Sequence, residues 1–210
     1  MNREAIIPNH LHKGDLPTGL TFVGDIAVDT EAMGLQTNRD RLCVVQLTDG
    51  QGDVHIVQIT KGQTDAPNLK ALLEDAERTK LFHFARFDLA ILKHYLGIQV
   101  APVYCTKIAS RLCRTYTERH GFKEICKELI GQDISKMQQS SDWGAEELLP
   151  EQLDYAAADV LYLHQLRDAL NVRLAREDRM ELALLTMACL PVRAELDLAG
   201  WAEIDIFAHS

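Results

Sequence analysis

The sequence predicts a mixed α/β domain, a small sheet covered by helices. Three observations carry that prediction. Short β-prone runs near 23–30, 43–48 and 54–57 are separated by turn signals. Segments 68–78 and 85–95 place apolar residues at helical spacing around one short apolar run, Leu81-Phe82-His83. From about 105 onward the chain reads as helices, apart from one polar connection.

The elements follow in order. Residues 1–20, with Pro8, Pro17 and Gly14, read as an irregular lead-in with one short strand at Glu4–Ile7. His10 and His12 within it suit either a metal or a surface loop. A strand covers 23–30, and a polar turn with Gly34 and Asn38 follows. Cys43-Val44-Val45-Gln46-Leu47-Thr48 and Val54-His55-Ile56-Val57 form an antiparallel hairpin around Asp49-Gly50-Gln51-Gly52. Leu69, Leu72, Leu73 and Ala76 mark a helix, Leu81–His83 a short buried strand, and 85–95 a second helix. Pro102 breaks the chain before a helix at 105–114, and another at 121–130 stops at Gly131. A polar connection spans 135–141. Pro150 opens a long helix over 151–175, and a last helix over 178–190 is interrupted by Pro191.

Composition fits one sizeable domain, with 210 residues and 47% hydrophobic content. No apolar run reaches membrane-spanning length, and the start Met1-Asn2-Arg3-Glu4 lacks a secretory hydrophobic region. The five cysteines are scattered without a C-x-x-C pair, so neither a zinc knuckle nor a disulfide frame is indicated, and a reducing cytoplasm is expected. Against 22 basic residues stand 31 acidic ones, a net charge of −9. Gripping long nucleic acid takes a positive footprint. A nucleic-acid substrate for this chain should therefore be short, or be held through metal ions and a few local cations.

Candidate chemistry begins at Val28-Asp29-Thr30-Glu31. On a strand, Asp29 and Glu31 point to the same side. Such a pair repels itself unless a cation sits between, and hard Mg²⁺ or Mn²⁺ prefers carboxylate oxygens. A solvated strand end is the plainer alternative. Asp88 stands in an almost wholly apolar stretch, 82–92, where a carboxylate needs a partner; a helix N-terminus would also serve it. Tyr155 and Asp159 are i and i+4 on one helix face, with three alanines between them leaving room for another element. That face suits a tyrosine that orients water beside a metal-binding Asp, or a plain Tyr–Asp hydrogen bond. Four carboxylates at one point would need about two divalent cations, the arrangement that serves in-line phosphoryl displacement.

These residues carry a resemblance. Asp29-Thr30-Glu31, Phe87-Asp88 and the Y-x3-D of Tyr155–Asp159 stand in the order of the DEDD superfamily of 3′–5′ exonucleases, in its tyrosine (DEDDy) branch. Gln139-Ser140-Ser141-Asp142-Trp143 is similar to the Q-x-S-D-W stretch of ribonuclease D. The chain thus resembles the ribonuclease D-like proteins over about residues 20–175, and most of all their short relatives called nanoRNase C, which act as oligoribonucleases. Ribonuclease D carries further helical domains, for which 210 residues leave no room.

The resemblance implies a ribonuclease H-like mixed sheet flanked by helices. It implies an exonuclease domain at 21–177, and a helical extension at 178–210 that serves as a homo-oligomer interface. It implies two cations, Mg²⁺ or Mn²⁺, held by Asp29, Glu31, Asp88 and Asp159, with Tyr155 positioning the attacking water. Leu35 takes the place of a leucine that wedges between bases, unless it is a core leucine. His83 reaches the substrate backbone, unless it is a core histidine. Gln139 is a third substrate-binding candidate. Lys107, Arg111 and Arg114 share a helix face that either meets a 5′ phosphate or is merely solvated. Trp201, Ile204, Ile206 and Phe207 make an apolar tail that needs cover from its own domain or a second subunit. The expected activity is hydrolysis of short oligoribonucleotides, especially dinucleotides, to nucleoside 5′-monophosphates in the cytoplasm. A general ribonuclease D-like nuclease on tRNA or other RNA 3′ ends or on single-stranded DNA, and an inactive binding module, are the alternatives.

Overall fold

The computed structural model describes residues 8–134 and 141–209. Six strands form one sheet: β1 (Asn9–Lys13), β2 (Ile26–Ala32), β3 (Leu42–Thr48), β4 (Val54–Gln58), β5 (Lys80–Phe82) and β6 (Val103–Cys105), in the spatial order β1-β4-β3-β2-β5-β6. β2, β3 and β4 run antiparallel as a meander, and β1, β5 and β6 each add in parallel. All seven residues of β3 are buried, because it is flanked by strands on both edges and covered on both faces.

The helices are α1 (Pro67–Leu73), α2 (Ala85–Leu96), α3 (Thr106–Cys113), α4 (Phe122–Ile130), α5 (Pro150–Leu161), α6 (Leu163–Arg176), α7 (Met180–Ala188) and α8 (Leu190–Leu196), followed by a π-helical turn at Asp197–Trp201. α4 stops at Gly131, whose φ of 71° closes the helix in the left-handed region as the sequence predicts. α5 lies across β1 to β4. Its Ala156, Ala157 and Val160 are buried, so this small-residue face is what lets the helix approach the sheet.

Four expectations need correction. The lead-in is not irregular, since Asn9–Lys13 is an edge strand on β4; the strand expected at Glu4–Ile7 lies outside the described residues. Val103–Cys105 forms a strand before the helix that follows Pro102. The long helix breaks at Tyr162, whose φ of −100° and ψ of −1° separate α5 from α6. Pro191 does not interrupt a helix but opens one, sitting in the first turn of α8 where no intrahelical N–H is needed.

Candidate active site

β2 delivers Asp29 and Glu31 to one face of the sheet by simple alternation, and a register shift against β3 follows directly after Glu31. α5 crosses that face with Tyr155 and Asp159 on adjacent turns. Carboxylate oxygens of Asp29, Glu31 and Asp159 all lie within 4.8 Å of one another. Asp88 comes in from the first turn of α2, where it is 3% exposed. It is fixed by Thr30, whose Oγ1 donates to Asp88 Oδ1 at 2.6 Å.

These groups resist ionising together. Burial, then the charges of Asp88, Asp159 and Glu31, hold the Asp29 carboxyl far above the usual carboxylate range. Burial, then Asp159 and Asp88, push Glu31 up to about 9. Burial raises Asp88 and Asp159 to about 7 each. Among the described residues, no Lys or Arg forms an ion pair with any of the four. Buried carboxylates with no cationic side chain are the donor set that hard divalent cations take. The residues present therefore fit the metals that the sequence suggests. Tyr155 sits against Asp159, and burial followed by the charges of Asp159 and Glu31 raises its phenol, which stays protonated at neutral pH.

The carboxylates form the floor of a cleft of about 390 Å³, also lined by Leu35, His83, Phe84, Phe87, Lys107, Phe122, Lys123 and Ile134. Leu35 is 86% exposed on its wall and so is not a core leucine. His83 is a wall residue as well. Thr106 Oγ1 donates to the Phe82 carbonyl and lies 2.9 Å from His83 Nδ1, so that nitrogen carries the proton and Nε2 is left as an acceptor. Burial, then Lys107, lowers His83 to about 3, which keeps the ring neutral. Gln139 lies outside the described residues. From the same stretch, Trp143 is buried with its ring 6.1 Å from that of Tyr155.

The three-cation face divides. Lys107 lines the cleft, with its Nζ 4.2 Å from the centre of the Phe84 ring. Arg114 is buried instead, with four of its five N–H donors bonded to Glu128, Ser110 Oγ and the Arg119 carbonyl, and it does not line the cleft. Lys123, which sequence reasoning passed over, is the second lysine of the cleft wall. Gln46 was missed too. It is fully buried on β3, and its Nε2 donates to Asp29 Oδ2 at 2.7 Å. His10 and His12 lie on β1 beside His55, with His12 Nε2 3.0 Å from His55 Nδ1, and neither lines the cleft. No helix among the described residues is long and apolar enough to cross a membrane.

The family model described as "3′–5′ exonuclease" matches residues 14–175. A ribonuclease D of Gluconacetobacter diazotrophicus is 34% identical over 165 residues, which is 79% of this chain and 42% of that relative's length. Among solved structures, Brucella melitensis NrnC with bound Mg²⁺ superposes with a TM-score of 0.93 at 54% identity, covering 97% of this chain and all (100%) of that one. Brucella melitensis NrnC bound to pGG gives a TM-score of 0.93 at 55% identity over 97% and 100% of the two chains.

Proposed function

Because the chain belongs to the 3′–5′ exonuclease family, we propose that it is a divalent-metal-dependent exoribonuclease acting on short RNA, dinucleotides above all, and releasing nucleoside 5′-monophosphates. The observation that carries this reading is the convergence of Asp29, Glu31, Asp88 and Asp159, from three separate elements, on the floor of one cleft without a cationic side chain among them. Length preference rests on the surroundings. Lys107 and Lys123 are two cations, enough for a substrate with few phosphates, and the net charge of −9 disfavours a long one. The pGG-bound neighbour points the same way.

Asp29, Glu31, Asp88 and Asp159 would hold the ions, Mg²⁺ or Mn²⁺. When bound, a pair of such cations neutralises the carboxylates, activates water and stabilises the charge that builds on the leaving 3′ oxygen. Tyr155 keeps its proton, so it orients the attacking water through hydrogen bonds and does not serve as the base. Gln46 holds one oxygen of Asp29 through its amide nitrogen and so fixes the orientation of that carboxylate. Leu35, exposed at the rim, offers an apolar surface to a base, and the neutral His83 offers Nε2 as an acceptor to a ribose hydroxyl.

The test compares turnover of a dinucleotide with that of a 20-mer of the same composition in Mn²⁺. Faster cleavage of the dinucleotide is expected. Preference for the 20-mer would favour a general ribonuclease D-like activity on RNA 3′ ends or single-stranded DNA, the reading suggested by the ribonuclease D relatives. No hydrolysis of either would favour a binding module.

We infer also that the chain works in the cytoplasm as a homo-oligomer, with the segment after α8 at the interface. Trp201, Ile204, Ile206 and Phe207 are all at least 45% exposed in the single chain, an apolar surface that a neighbouring subunit would cover. Light scattering should give a multiple of 23.6 kDa; a monomer would end this part of the reading.

A further inference from the structure

Arg86 and Asp88 stand two positions apart in the first turn of α2, so their side chains leave the helix on nearly opposite sides. Asp88 faces the carboxylate cluster. Arg86 faces outward and meets the C-terminal segment. Its Nε and Nη2 donate to the two oxygens of Asp197 at 2.6 and 2.8 Å, and Nη2 donates also to the Ala202 carbonyl at 2.7 Å. The Asp197 side chain is 15% exposed and accepts a second guanidinium, with Arg193 Nε and Nη2 at 3.0 and 2.6 Å from Oδ1. Arg193 in turn donates to the carbonyls of Trp201 and Ala202 at 2.7 and 2.8 Å. One carboxylate thus ties α8, the π-helical turn and the start of α2 together. Bidentate Arg–carboxylate pairs of this kind fix orientation as well as distance.

The turn that enters α2 needs such a tie. Its N-cap residue is Phe84, held at φ 70° and ψ 42°, a left-handed conformation that a β-carbon disfavours. No side chain caps the helix N-terminus there. Strained backbone of this sort persists where its surroundings over-determine it. On the cleft side Lys107 rests on the Phe84 ring and Thr106 holds His83. On the outer side the hold is Arg86 on Asp197.

We propose that Asp197 is a positioning residue of the active site: by gripping Arg86 it fixes the first turn of α2, and with it the placement of Asp88 and Phe84 in the cleft. The segment after α8 is then part of the catalytic framework as well as an exposed apolar surface. This rests on the metal-site reading above.

The test uses the full chain with Asp197→Ala, Arg86→Ala and the double variant. Lys93→Ala is the control, since it breaks the Lys93–Glu195 ion pair on the same α2–α8 contact, away from the cleft. Four quantities are read: the thermal midpoint, amide exchange at residues 84–88 in the metal-free protein, Mn²⁺ affinity by electron paramagnetic resonance, and kcat and KM on a dinucleotide. Asp197→Ala and Arg86→Ala should speed exchange at 84–88, weaken Mn²⁺ binding about tenfold and lower kcat, as losses behind a metal ligand do. KM should move less than about twofold, and the double variant should be no worse than either single one. Lys93→Ala should leave exchange at 84–88, Mn²⁺ affinity and kcat unchanged whatever it does to the midpoint. Asp197→Ala matching Lys93→Ala in Mn²⁺ affinity and kcat overturns the proposal. If Asp197→Ala does not fold, Asp197→Asn carries the test, with a smaller loss in the same direction expected and unaltered Mn²⁺ affinity overturning it. A wild type that binds no Mn²⁺ refutes the metal reading itself, a result distinct from failure of the brace.

Discussion

Gln46 and Asp29 are directly opposed on adjacent strands, and the amide nitrogen of Gln46 donates to Asp29 Oδ2 at 2.7 Å. The other end of the amide, Oε1, is buried with no partner among the described residues. An unmatched buried carbonyl is costly, and this one lies beside a metal-ligand candidate. Gln46→Leu should lower activity about 10- to 100-fold by letting Asp29 turn. Stability should change by less than about 1 kcal/mol, because the lost hydrogen bond is offset by removal of the orphaned carbonyl. Metal titrations of activity and a thermal melt check both halves; full activity in the variant would contradict the role given to Gln46.

Tyr155 acts on the water in this account and not on the RNA. Tyr155→Phe should therefore cut kcat by about 10- to 100-fold, in the range of a lost positioning and proton-handling group, with KM changed little. Steady-state kinetics on a dinucleotide separates the two constants. A large rise in KM at unchanged kcat would place the phenol on the substrate instead.

The carboxylate cluster makes stability of the metal-free protein fall as pH rises. Asp88 and Asp159 titrate at about 7 in the folded chain and Glu31 at about 9, against roughly 4 when unfolded. Between those limits the folded state binds more protons than the unfolded one, so the slope of stability with pH is negative. In EDTA the thermal midpoint should be higher at pH 6 than at pH 8. Added Mn²⁺ should raise it more at pH 8, where fewer protons compete for the oxygens. A pH-independent midpoint would mean that these carboxylates are not desolvated together.

Leu35 offers a cleaner separation of binding from folding. Being 86% exposed, its truncation to Ala should cost less than about 0.5 kcal/mol in stability. A base packed on it would lose apolar contact worth about 1–2 kcal/mol, so KM for a dinucleotide should rise about 5- to 30-fold. Unchanged KM would remove Leu35 from the binding surface.

Much of the site is legible in sequence because two periodicities carry it. Asp29 and Glu31 share a side through the period of a strand, and Tyr155 and Asp159 through the turn of a helix. What stays hidden depends on partners distant in the chain. The β1 strand reads Asn-His-Leu-His-Lys, with no apolar alternation to announce it, and forms only because β4 offers an unpaired edge. The break at Tyr162 has no proline or glycine to mark it. Arg114 looks like a free cation until Glu128, fourteen residues on, is folded against it. Thr30 and Gln46 are ordinary strand residues in the sequence, and only the meeting of β2 with α2 and β3 turns them toward Asp88 and Asp29.

In the proposed reaction, carboxylates from β2, α2 and α5 gather cations that cleave RNA from its 3′ end. The most direct measurement follows 5′-labelled RNA over time in Mn²⁺, with wild type, wild type in EDTA, and Asp29→Asn. Shortening by single nucleotides from the 3′ end is expected, carried through to the dinucleotide and beyond it to labelled mononucleotide. No shortening should occur in EDTA, and Asp29→Asn should lose about 100-fold or more, the scale of losing a charge-stabilising group at the reacting centre. Internal cuts, cleavage that survives EDTA, or near-normal turnover by Asp29→Asn would contradict it.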